Sequence, residues 1–190
     1  MHRAIRILIL SSIFFNFSVG LFAPIYAIFV EKIGGDILSA SGAIALYSIL
    51  FGILKIFFGR LEDVQLDKRK MITLGYSLNA LGFAGYTLVK SPLQLFLVQI
   101  ALGVGDAIKN PAWEAIFSKS LDRGRESSDW AYWGGSTAIT SGTAAFIGGN
   151  IAMLFGFRSL FTLMAVVTGI GAIFSTLLFR KNILKEFFKI

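Results

Sequence analysis

Six long stretches of this chain carry no charged residue: Ile7–Val30, Ile37–Leu54, Met71–Val89, Ser91–Gly105, Trp130–Phe157 and Ser159–Phe179. No other feature constrains the fold as much. A helix needs about 20 mostly apolar residues to cross the hydrocarbon of a bilayer. Of the 190 residues, 55% are hydrophobic and 15% charged, with a mean hydropathy of +0.73. A soluble domain of this length has no interior large enough for so many apolar side chains. The pattern predicts an all-α integral membrane protein, a single domain over 1–190. Its six transmembrane helices are expected at about 4–30, 37–58, 71–89, 93–117, 130–154 and 159–179. The fourth must run on past Asp106, because a helix stopping at Gly105 would be short. The first could be mistaken for a cleaved signal, but it is too long for one and five more follow.

Basic residues give the direction. Arg3, Arg6, Arg60, Lys68, Arg69, Lys70, Lys119, Arg123, Arg125, Arg180, Lys181, Lys185 and Lys189 fall on one side of such a bundle. Lys32, Lys90 and Arg158 fall on the other. Basic residues sort to the cytoplasmic side, so both termini are expected in the cytoplasm of a cell-membrane protein. The net charge of +7 is read this way, through the lipid bilayer as partner, and not as a nucleic-acid footprint. The tail 181–190 mixes basic with apolar residues; an interfacial helix and a frayed end are both open.

The inventory for catalysis is thin. There is no Cys, and the single His is His2. Disulfides, thiol chemistry and metal centres are therefore not expected, nor is any cofactor beyond a coupled proton. An enzyme is not expected.

The segment after the second helix reads Gly59-Arg60-Leu61-Glu62-Asp63, continues to Asp67, and ends in Lys68-Arg69-Lys70. It resembles the signature loop of the major facilitator superfamily, which lies between that family's second and third helices on the cytoplasmic side. Gly59, Leu61 and Asp63 match the pattern and Lys68–Lys70 supply its basic run, while Val64 and Leu66 replace a basic residue and a second Gly. Gln99 to Gly105 is similar to the family's helix-4 pattern, with Gln99 where Arg is usual. Arg123-Gly124-Arg125 falls where the family has a basic loop. Thr140–Gly149 is a weaker echo of its helix-5 antiporter pattern, and antiport is not inferred from it.

That resemblance implies a secondary transporter of a small solute working by alternating access. The family has twelve helices in two halves with the substrate site between them, and this chain would supply one half, of the N-terminal type. A homodimer on a two-fold axis would complete it; so would a missing C-terminal half, and the choice is open. The resemblance also gives Gly59, Leu61, Asp63, Lys68, Arg69, Arg123 and Arg125 the role of a cytoplasmic gate. There Asp63 would face a helix start in the opposite half, or pair with Arg123 or Arg125.

The fourth segment carries the polar residues of interest. Gln99, Asp106, Asn110, Trp113 and Glu114 recur at spacings that share one side of a helix, with Lys109 beside them. Asp106 falls near mid-membrane, where a charge costs about 2.5–3.5 kcal/mol on insertion scales. Such a stripe belongs against a wet cavity or another helix. Asp106 and Lys109 either contact substrate and carry a proton or neutralise each other at i,i+3, and Pro111 should bend the helix. Asn16 either lines the same pathway or bonds another helix. Lys55 is expected to reach for the cytoplasmic surface. Gly134, Ala138, Gly142 and Gly149 share a spacing that permits close helix packing, and Trp130, Tyr132 and Trp133 suit an interfacial belt. A membrane scaffold that transports nothing is the alternative function, and it has no need of the polar stripe.

Overall fold

The computed structural model describes residues 3–64, 66–122 and 124–179. Helices α1 (Arg3–Phe22), α2 (Tyr26–Lys32), α3 (Ile37–Val64), α4 (Lys68–Gly85), α5 (Pro92–Lys119) and α6 (Glu126–Ser175) account for most of them, and there is no strand among them. Among the described residues, four helical stretches are long and apolar enough to cross a membrane: Arg3–Lys32, Ile37–Val64, Pro92–Lys119 and Glu126–Phe179.

Local chemistry sets the boundaries. Pro24 has no N–H to donate, and the run expected as one helix over 4–30 tightens into a 3₁₀ turn at Ala23–Ile25. Gly34, at φ 79°, ends α2 in the left-handed conformation usual after a helix. Asp36 then accepts 2.7 Å hydrogen bonds from the Ser39 amide and hydroxyl ahead of α3. Asp67 caps α4 by accepting from the Arg69 amide at 3.0 Å. The second segment runs to Val64, so Gly59, Leu61 and Asp63 occupy the last turns of a helix where the sequence suggested a loop. The third starts at Lys68, three residues early.

The last two segments are expected to part near Arg158; they part at Gly156, with φ 79° and ψ 167° inside α6. Only glycine adopts that backbone region with ease. Contacts with α1 show that the chain reverses there. Along the first arm, Trp133 reaches Ser12 and Ser141 reaches Asn16. Along the second, Met164 meets Ser18 while Gly171 lies against Ser11 and Phe14. The arms of α6 therefore run antiparallel, both against α1.

Small residues bring the remaining helices together. Gly75 of α4 lies against the Gly105 carbonyl and Lys109 of α5, and Gly82 against Leu102, so α4 and α5 are antiparallel. On the other side of α5, Gly103 meets Tyr47 of α3 and Gly59 meets Pro111. Helix α3 leaves most of its surface uncovered, including Ile44, Ile49, Ile53 and Ile56.

Two apolar clusters fill the bundle. One holds Ile5, Leu8, Ile72, Tyr76, Trp113 and Phe117. The other holds Phe22, Phe29, Phe83, Tyr86, Leu102 and Phe161. The small-residue pattern of the fifth segment does not pack within this chain. Nothing lies within 4 Å of a side-chain carbon placed at Gly134, Gly142 or Gly149, and Ala138 is exposed. The packed stripe is offset: Gly148 abuts the Leu21 backbone, and Ala144 is buried near Gly20. Trp133 also leaves the expected belt. Its ring lies tilted against Trp113 at 5.1 Å and it donates to Ser12 Oγ at 3.1 Å, whereas Tyr132 is exposed.

Candidate functional site

Between the two apolar clusters lies a polar layer centred on Asp106. Its carboxylate accepts from three helices: from the Tyr47 hydroxyl of α3, from Asn79 Nδ2 of α4 at 2.6 Å, and from Lys109 Nζ one turn along α5. Asp106 is 5% exposed and Lys109 3%. The ammonium also sits over aromatic faces, 3.9 Å from the Phe15 ring centroid and 5.4 Å from that of Tyr76. Opposite charges in contact, with hydrogen bonds on the remaining lone pairs, are the condition under which a buried ion pair persists.

The geometry depends on α4 lying close to α5. At Gly75 a methyl group would strike the Gly105 carbonyl and Lys109. That close approach brings Asn79 within reach of Asp106. Its amide must donate, since the opposite orientation would set two oxygens against each other. The Asn79 carbonyl oxygen is buried without a hydrogen-bond partner among the described residues. Neither Tyr47 nor Asn79 was singled out from the sequence. The usable signal was weak: one amide in the third segment and one phenol in the middle of the second.

The expected stripe on α5 divides in two. Asp106, Lys109, Gln99 and Trp113 face inward, with Gln99 Nε2 donating to the Tyr26 hydroxyl at 3.2 Å and Trp113 Nε1 to the Leu8 carbonyl at 3.3 Å. Asn110 is half-buried, and Glu114 turns outward. Glu114 binds Lys55 of α3 at 2.7 Å, with side chains 51% and 34% exposed. Lys55 therefore ends in an ion pair where the sequence suggested the membrane surface. The Asn16 side chain stays off the polar layer: its Nδ2 donates to the Ser12 carbonyl of its own helix at 2.8 Å, while its backbone carbonyl accepts from Ser141 of α6 at 3.4 Å.

In the gate segment, Asp63 pairs with Lys68 at 3.2 Å and its side chain is 78% exposed. The expected pairing with Arg125 is not found among the described residues, and Arg123 lies outside them. Arg69 pairs with Asp67 at 2.6 Å, a contact that holds the Asp67 carboxyl below its ordinary range. Glu62 is buried, and neither carboxylate oxygen has a hydrogen-bond partner among the described residues.

Residues 8–187 match the model of the Major Facilitator Superfamily. The chain belongs to that superfamily, a family of transporters and not of enzymes. It is 24% identical over 178 residues to the multidrug resistance protein MdtG of Klebsiella pneumoniae, covering 92% of this chain and 43% of the relative. With the quinolone resistance protein NorB of Staphylococcus aureus it shares 28% identity over 143 residues, 73% of this chain and 30% of the relative. With YitZ of Bacillus subtilis, an uncharacterized MFS-type transporter, identity is 26% over 152 residues, 76% of this chain and 88% of the relative. The chain thus spans less than half of the first two relatives and matches nearly the whole of the third.

Proposed function

We propose that this chain is one half of a secondary transporter, with six membrane spans and both termini in the cytoplasm, that moves a small solute by alternating access. The spans in this reading are α1 with α2, then α3, α4 with the turn after it, α5, and the two arms of α6. The distribution of basic residues supports the orientation. One observation carries the functional reading: three helices place hydrogen-bond donors on the Asp106 carboxylate in the middle of the bundle. An intramembrane charge is costly and marks a pathway or relay by default. The sealed pair is one state of a switch in which Asp106 exchanges Lys109 for a proton or a cationic solute.

The working unit in our reading is a pair of identical copies around a two-fold axis. An even number of spans inserts both copies in the same direction, which a two-fold axis along the membrane normal requires. The near-complete match to YitZ favours a half-size unit. The open face of α3, with the Lys55–Glu114 pair beside it, and the Gly142 face of the first α6 arm offer surface for the second copy. Pairing with a separate C-terminal half is the other arrangement. The relatives' printed names direct the first assays to quinolones and to unrelated drugs.

Proteoliposomes holding the wild-type chain or Asp106→Asn test the reading. Wild type should move solute against a gradient when a proton gradient is imposed, and the variant should not. Equal leakage through both, indifferent to solute, would defeat it. The mass of the detergent-solubilised particle tests the pairing, and a strict monomer would remove it.

A further inference from the structure

The three basic residues that stand against the cytoplasmic charge bias, Lys32, Lys90 and Arg158, are far apart in sequence. They end α2, precede α5 and follow the Gly156 break in α6. The fold brings all three to the lining of one cavity of about 430 Å³. We propose that this cavity holds the phosphate headgroup of an anionic phospholipid, in the leaflet opposite the Gly59–Lys70 segment.

Charge comes first. No carboxylate lines the cavity, and none of the three cations forms an ion pair among the described residues. Cations near the polar end of a bilayer are elsewhere in this chain concentrated on the opposite side, so their convergence here calls for an anion. Shape comes second. The floor is aromatic: Phe29, Tyr86 and Phe161 are buried, with Phe161 4.8 Å from Phe29 and 4.9 Å from Tyr86 by ring centroid. Lys32 Nζ lies 5.4 Å from the Phe157 ring, so an ammonium already spans the polar and apolar parts. An apolar floor with a cationic rim fits an amphiphile better than a free ion.

Access decides the source. Phe155 is 70% exposed and forms one wall of the cavity, with Leu154 exposed beside it. In a bilayer that side faces acyl chains, so the cavity opens to lipid sideways. The volume lies within the usual range of small-molecule sites, about 300–1,000 Å³. Gly156 makes the arrangement possible, because the reversal at its positive φ sets Arg158 on the same end as Lys32 and Lys90.

The chain has no Cys, so Thr87→Cys in the cavity wall can carry a single fluorophore. Quenching is measured in phosphatidylcholine vesicles containing small amounts of brominated phosphatidylglycerol or brominated phosphatidylcholine. Each basic residue at an anionic lipid surface contributes roughly a factor of five in affinity. Wild type should therefore be quenched far more by the anionic lipid. Each of Lys32→Gln, Lys90→Gln and Arg158→Gln should lower that preference about fivefold, and the triple variant should abolish it. Arg158→Lys, which keeps its charge, should retain the preference, and millimolar inorganic phosphate should leave it unchanged. Equal quenching by both lipids in wild type would overturn the proposal. So would a preference that survives in the triple variant, a loss in Arg158→Lys as large as in Arg158→Gln, or displacement by inorganic phosphate. The outcome is independent of whether the chain transports anything.

Discussion

Removing either member of the Asp106–Lys109 pair should cost far more than removing both. The two side chains are 5% and 3% exposed, so Asp106→Asn leaves an ammonium without a counter-charge between two apolar clusters, and Lys109→Met leaves a carboxylate there. Breaking a buried pair from one side typically costs about 3–5 kcal/mol. Replacing both partners by neutral groups of similar volume is often close to neutral. Tyr47 and Asn79 continue to donate to the aspartate when Lys109 is changed, so Lys109→Met should be the milder single change. Asp106→Asn keeps a carbonyl acceptor but turns an amide towards the donors, so it should lie at the upper end. The double variant should lose no more than about 2 kcal/mol, giving a coupling of several kcal/mol between sites one helical turn apart. Unfolding by a denaturing detergent in mixed micelles, followed by tryptophan fluorescence, measures all four corners of the cycle. Single losses below about 1 kcal/mol that simply add would refute the reasoning, because the two charges would then be solvated independently. Transport assays on the same proteins separate structure from function. A double variant restored in stability yet inactive supports the switch, and one restored in both reduces the pair to a structural element.

Gly75→Ala should destabilise by about 1–3 kcal/mol, as overpacking does, since its methyl group meets the Gly105 carbonyl and Lys109; Gly142→Ala, with open space around it, should leave unfolding of the chain unchanged and alter only the particle mass. Glu62→Gln should be neutral or stabilising in the same unfolding assay, because it removes a buried carboxylate that has no hydrogen-bond partner among the described residues; a loss above about 2 kcal/mol would contradict this. The Asp67 carboxyl is held low, first by its side-chain hydrogen bond with Arg69. Its contribution to the start of α4 is therefore present above the ordinary carboxylate range and lost as pH falls through the depressed value. Protection of the first-turn amides of α4, corrected for intrinsic exchange, should fall in that acid window in wild type, and Asp67→Asn should remove the pH dependence of that protection.

The apolar runs, their approximate limits and the asymmetry of basic charge were all legible in the sequence, since each depends only on transfer from water to lipid and on local capping chemistry. The assignment of Asp106 and Lys109 to the interior also followed from spacing, because a charge at that depth has few places to go. Other details needed neighbours. Helix periodicity tells which residues share a face, but it carries no phase relative to the partner. The packed stripe on α6 therefore proved to be that of Gly148 and Ala144, with Gly142 and Gly149 in the open. For the same reason Glu114 turned away from Asp106 to meet Lys55.

Membership of the membrane, the helical class and the likeness to a transporter half were properties of the residues in order, because burial in hydrocarbon is decided segment by segment. Tyr47, Asn79 and Asp106 meet only because α3, α4 and α5 pack at one depth, and Lys32, Lys90 and Arg158 only because the chain turns back at Gly156. Contacts between side chains tens of residues apart are set by how rods of similar oiliness choose their neighbours. That choice rests on close packing at a few glycines, which no single helix specifies alone.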